Sequence, residues 1–156
     1  MARDEQALRD AMEHSAAVLA AAGFPRMPAR VLMALTVADA GGLTAQELVD
    51  ELGVSPAAIS GAVRYLQTLG YVRRTAQAGS RRDRYELPAD LWYGASFRQS
   101  PLFDSLASLL DRAVEAIDDP ASPASQRSEE MARFYRFLGT RMPSLLDEWE
   151  DIRNAR

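Results

Sequence analysis

The residues Val54 to Arg74 read VSPAAISGAVRYLQTLGYVRR, and helical spacing divides them into two unlike sides. Ile59, Val63, Leu66 and Leu69 form an apolar side. Ala57, Ser60, Gly61, Arg64 and Thr68 fall opposite, with Ser55 just ahead of the helix start. That second side is too small to make a core and too little charged for an ordinary solvated surface. Its chemistry suits close approach to a polyanion, since small side chains let a helix axis sit deep in a major groove about 12 Å wide. Glycine inside a helix costs about 1 kcal/mol against alanine, so Gly61 points to a place where bulk would be harmful. Ser60 can bond a base edge or a phosphate, and Arg64 can take a guanine bidentately. Ser55 and the free amides at the helix start can hold a phosphate.

A second group of cations follows. Arg73 and Arg74 lie on one short β-prone arm, Arg81, Arg82 and Arg84 near the tip of a predicted hairpin, with a turn at Gln77-Ala78-Gly79-Ser80. Between Arg64 and Arg84 six arginines face one acid, Asp83, a local excess of +5 in a chain of net charge −4. A basic patch on an acidic body can steer a polyanion to one face. The arginines of the arms would contact flanking backbone, and Arg81 or Arg82 can enter a narrow minor groove. The competing readings are a helix face kept small for helix–helix packing and an arginine cluster that is merely solvated.

The elements that would hold these residues have specific signals. In Leu43-Thr44-Ala45-Gln46-Glu47-Leu48, Thr44 and Glu47 are spaced for a capping box, with Leu43 stapled onto Leu48. Gly53 breaks that short helix after Leu52. Ser55 and Pro56 then start the next, with Val54 stapled onto Ile59, and Gly70 ends it. Two helices across a tight glycine-containing turn, followed by a basic hairpin, make a winged helix-turn-helix. A further helix is predicted over 28–40, ending at Gly41-Gly42. The fold class expected is mainly α with a small β-hairpin wing. The division expected is an N-terminal dimerisation helix over 1–23, the winged helix over 24–89 and C-terminal dimerisation helices over 90–156.

The outer helices carry apolar stripes. The first presents Leu8, Met12 and Leu19. The last presents Met131, Tyr135, Leu138, Met142, Leu145 and Trp149 as an a/d seam, with Gly139 and Pro143 expected to kink or split it. Between them a helix from about Ser100 presents Leu102, Leu106, Leu109, Ala113 and Ile117, and Asp118 to Pro123 is a break. A winged helix of some 70 residues cannot cover both stripes, so a homodimer is expected, packing within one chain being the alternative. A twofold dimer would set its two reading helices about 34 Å apart, one DNA turn.

Composition bounds the rest. The chain has 156 residues, 47% of them apolar, and no cysteine, which excludes disulfides and thiolate metal sites and fits a reducing cytoplasm. No signal peptide and no membrane-spanning run is apparent. The only histidine, His14, sits among polar and alanine residues of the first helix. No ligand spacing, phosphate-cradling loop or nucleophile elbow appears, so neither catalysis, metal nor cofactor is expected. Trp92, Tyr93 and Phe97, beside Gly94, can line an effector pocket; hinge core is the simpler use for them.

Residues 24–99 resemble the MarR family of winged-helix transcription regulators, in particular its GbsR-like branch. The resemblance is carried by FPRMPARVLMALTVAD, LTAQELVDELGVSPAAISGAVRYLQTLGYVRR and SRRDRYEL. It implies an obligate homodimer, built from the first and last helices, on a pseudo-palindromic operator in double-stranded DNA, usually as a repressor. Relatives of that family often sense small aromatic, lipophilic or quaternary-ammonium compounds. The cluster Arg81-Arg82-Asp83-Arg84 is similar to the family's wing tip but lacks a glycine inside it. The other class of function open to such a sequence is a winged helix that docks an acidic protein partner through its basic patch.

Overall fold

The computed structural model describes residues 4–39, 41–76, 82–89, 91 and 100–155. It divides into two compact units, Met1–Leu91 and Trp92–Arg156. The first contains α1 (Glu5–Ala21), α2 (Arg26–Thr36), β1 (Leu43–Thr44), α3 (Ala45–Leu52), α4 (Pro56–Thr68), β2 (Arg73–Ala76) and β3 (Asp83–Glu86). The second contains α5 (Ser100–Ile117) and α6 (Pro123–Asn154). The chain is mainly helical with one small antiparallel sheet, as a winged helix requires.

The first unit closes around α2. Val31, Leu32, Leu35, Leu48, Ile59, Val63 and Leu66 are buried, drawn from α2, α3 and α4. Each of the larger ones contributes about 1.5–3 kcal/mol by leaving water. α2 begins at Arg26 and ends at Thr36, earlier at both ends than the sequence predicts. Pro28 sits within its first turn, where the missing N–H has no intrahelical acceptor to lose. Arg30 ties three helices together. Its Nε donates to Glu13 of α1 at 2.7 Å, and its Nη2 donates to the Leu52 carbonyl of α3 at 3.2 Å.

The capping box forms as its spacing indicates. Thr44 Oγ1 accepts from the Glu47 N–H at 3.2 Å, and the Thr44 N–H donates to Glu47 Oε2 at 2.7 Å. Gly53 takes φ +62 and ends α3. Ser55 Oγ accepts from the Ala58 N–H, with Pro56 in the first turn of α4.

The sheet corrects the expectation of a two-stranded hairpin. It has three strands in the order β1-β3-β2, with Leu43 opposite Tyr85, Thr44 opposite Arg84, and Arg73 opposite Glu86. Gly42 makes the extra pairing sterically feasible. It has φ +135, and a Cβ there would overlap the Tyr85 carbonyl and the Glu86 side chain. Gly42→Ala should therefore destabilise the first unit by about 2–4 kcal/mol, read as a lower midpoint in urea unfolding.

In the second unit α5 and α6 pack as an antiparallel pair. Ala107 and Ala132 are buried between them, and Tyr135 stacks on Phe103 with ring centroids 5.9 Å apart. Gly139 faces Asp104, whose carboxylate would lie 2.9 Å from an added Cβ. α6 is one helix of 32 residues through Gly139 and Pro143, so the chain does not split there. Asp118, at φ +49, turns the chain, and Ser122 caps α6.

Candidate nucleic-acid interface

α4 presents the face that the sequence indicates. Ala57, Ser60, Gly61, Arg64 and Thr68 are all exposed, as is the capping Ser55. Among the described residues nothing lies within 4 Å of an added Cβ at Gly61, so no helix packed within the first unit explains the glycine. The Arg64 side chain makes no hydrogen bond or ion pair with the described residues, while its carbonyl accepts from Thr68 Oγ1. Leu69, expected on the buried side, is 41% exposed because it is the C-cap and the helical register has ended. Ala62 takes the buried place that the sequence reading had not named.

The wing arginines are arranged differently from a single cationic surface. Side chains alternate across a strand, which places Arg73 and Arg84 on one face of the sheet and Arg74 on the other. Each has a carboxylate. Arg73 pairs with Glu86 at 3.2 Å, Arg74 pairs with Asp83, and Arg84 pairs with Glu47 at 3.3 Å. Arg73 and Arg74 keep 63% of their side-chain surface exposed and can exchange a surface partner cheaply for phosphate. Arg84 keeps 19% and also donates to the Gly42 carbonyl at 2.8 Å, so it is engaged inside the unit. The excess of positive charge counted along the sequence is reduced, because Glu47 and Glu86 lie outside that stretch and the fold brings them to it. Arg82 is exposed near the N-terminus of α3, beside Thr44, Ala45 and Gln46. Arg81, Trp92, Tyr93 and Phe97 lie outside the described residues.

Glu47 is the most strongly influenced acid of the region. The hydrogen bond from the Thr44 N–H holds its carboxyl below the usual carboxylate range, partly opposed by burial and aided by the Thr44 hydroxyl and the charges of Arg84 and Arg82. A depressed carboxylate stabilises the fold above its unfolded pKa, and that contribution fades as pH falls through the folded value.

The outer stripes are redistributed. Leu8, Met12 and Leu19 are half-buried on α1, which packs against α2. Leu8 and Met12 also line a cleft of about 380 Å³ with Arg30, Leu43 and Leu52. On α6, Tyr135, Leu138 and Met142 are half-buried on the side nearest α5, whereas Met131, Leu145 and Trp149 are exposed. Phe134, Phe137 and Ile152, absent from the expected seam, are exposed as well. At 100° per residue these six fall on one face flanking the α5 contact. On α5, Leu102 and Leu109 are exposed and Phe103 and Ala107 turn inward, one position along from the expected stripe.

His14 is exposed, its Nδ1 2.7 Å from the Asp10 carbonyl. Among the described residues no three His, Cys, Asp or Glu side chains converge on a metal position, and no helix is long and apolar enough to cross a membrane.

Comparison with known proteins finds two family profiles on the chain. Residues 22–83 match the MarR family profile, and residues 90–152 match that of MmpR5-like MarR family transcriptional regulators. Both profiles describe MarR family regulators, and together they span most of the chain. These matches support a transcriptional regulator with a winged helix-turn-helix DNA-binding domain, not the GbsR-like branch in particular. The chain is 27% identical over 113 residues to the HTH-type transcriptional regulator MmpR5 of Mycobacterium tuberculosis, covering 72% of this chain and 68% of the relative. A crystal structure described as a transcriptional regulator has the same fold, with a TM-score of 0.80, 24% identity, and coverage of 92% of this chain and 98% of that one.

Proposed function

We propose that the protein binds a pseudo-palindromic operator as a homodimer, reads it with α4, and represses transcription from it. The observation that carries the reading is the exposed face Ala57, Ser60, Gly61, Arg64 and Thr68, which has a glycine at its centre that nothing among the described residues requires. Ser60 and Arg64 lie one turn apart on that face, suited to neighbouring base edges. Ser55 and the first amides of α4 suit a phosphate. Arg73, Arg74 and Arg82 suit flanking backbone, and Arg81 stays in the proposal from the sequence alone. The exposed apolar face of α6 supports the homodimer.

Arg64→Ala should cost about 1–3 kcal/mol at one base pair and flatten the preference there. Arg82→Ala should weaken every duplex alike and lower the salt slope by about 0.9. Binding measured across a randomised duplex library tests both. Equal base preference in wild type and Arg64→Ala would remove the reading role from Arg64. A cleft of about 380 Å³ along α1 and α2 is large enough for a small-molecule effector. A lipophilic cation or aromatic acid that lowers duplex affinity on addition would support effector release.

A further inference from the structure

Arg84 occupies an unusual place for an arginine of a DNA-binding wing. Its Nη2 donates to the Gly42 carbonyl at 2.8 Å and lies 3.3 Å from Glu47 Oε2, while its Nε is closed off from solvent with no partner. A guanidinium that serves phosphate has no reason to give up that hydration. The other ends of the two contacts explain the arrangement. Gly42 leads into β1, and Glu47 is the third residue of α3, already bound by the Thr44 N–H. Thr44 pairs with Arg84 across the sheet, so backbone and side chain close the same joint. Arg73–Glu86 and Arg74–Asp83 then fasten β2 to β3.

We infer that Arg84 and Glu47 form a joint between the wing and the start of the helix-turn-helix, and that Arg84 is a positioning residue that fixes where the wing meets DNA. The inference rests on the DNA-binding reading above. The wing has only three short strands, and β1 supplies two residues. Two ladder pairs are a weak hinge against rotation, and a guanidinium whose Nη2 reaches both Gly42 and Glu47 restrains it. Glu47 thereby acquires a role opposite to its charge: an acid beside the DNA-binding face that strengthens binding by holding an arginine away from the DNA.

The test is a double-mutant cycle on the tightest duplex selected from a random pool, using Arg84→Gln, Glu47→Gln and the pair. Glutamine at residue 47 keeps the capping geometry of α3. Each single substitution is expected to weaken binding about tenfold and to change the salt slope alike, with the pair no weaker than either alone. Arg84→Lys should fall as far as Arg84→Gln, since the lysine ammonium ends one atom short of the point where Nη2 meets both partners. A direct phosphate contact gives the contrary pattern: Glu47→Gln binds as well as or better than wild type, Arg84→Lys retains most affinity, and the effects add. That pattern overturns the joint and leaves the DNA-binding reading intact. Loss of the cooperative thermal melt in Arg84→Lys also overturns it, because Arg84 would then hold up the fold rather than aim the wing. A wild-type protein that favours no duplex overturns the DNA-binding reading, and the joint falls with it.

Discussion

Gly61→Leu is expected to make the protein more stable and worse at its task. In a helix interior leucine is favoured over glycine by somewhat under about 1 kcal/mol, and among the described residues no atom lies within 4 Å of the new Cβ. The melt should therefore move upward. The same side chain stands in the middle of the face between Ala57, Ser60, Arg64 and Thr68, so α4 must ride higher in a groove. Losing two base contacts at about 1–3 kcal/mol each weakens the preferred duplex about a hundredfold or more. Non-specific binding through the wing should change little, since phosphate contacts supply it. Thermal unfolding and duplex titration on one sample give both readings. A Gly61→Leu protein that binds as tightly as wild type would show that α4 does not enter the groove.

Placing aspartates at Leu145 and Trp149 together should separate the subunits and lower operator affinity about a thousandfold. Both side chains are exposed, as are Met131, Phe134, Phe137 and Ile152, with Phe137 at 56%. A monomer rarely leaves a contiguous apolar face beyond a few hundred Å². Burying that face in a second copy stabilises the pair, and two like charges there would stay solvated only in the monomer. Because both side chains are exposed, the second unit should keep its helical signal. Linked half-sites gain about 10²–10⁴ over single ones, which sets the size of the expected loss. Sedimentation should report one subunit for the variant and two for the wild type. A dimeric variant with intact affinity would move the interface elsewhere.

The sequence reveals most where structure is local. Thr44 with Glu47, Gly53, and Ser55 with Pro56 each satisfy a helix end within four residues, so spacing alone identifies α3 and α4. The face of α4 follows from the same periodicity. What was hidden is non-local. β1 is two residues whose partner, β3, lies some 40 positions away, and only Gly42 hints that another strand must pass close. Counting charge along the chain makes the wing a cationic patch, whereas folding brings Glu47 and Glu86 to Arg84 and Arg73. α6 mixes two apolar faces. A single a/d seam through Met131, Tyr135, Leu138, Met142, Leu145 and Trp149 takes half its members from each and passes over Phe134 and Phe137. α2 was misjudged at both ends because proline in a first turn is tolerated and no strong stop signal follows Thr36.

Selecting bound duplexes from a fully randomised pool tests most directly whether α4 reads DNA in a twofold pair. The expected result is an inverted repeat whose half-site centres are about 10 base pairs apart, held at least about a thousandfold more tightly than bulk competitor. A pool that yields no shared sequence, with every duplex bound alike and equally sensitive to salt, would contradict it.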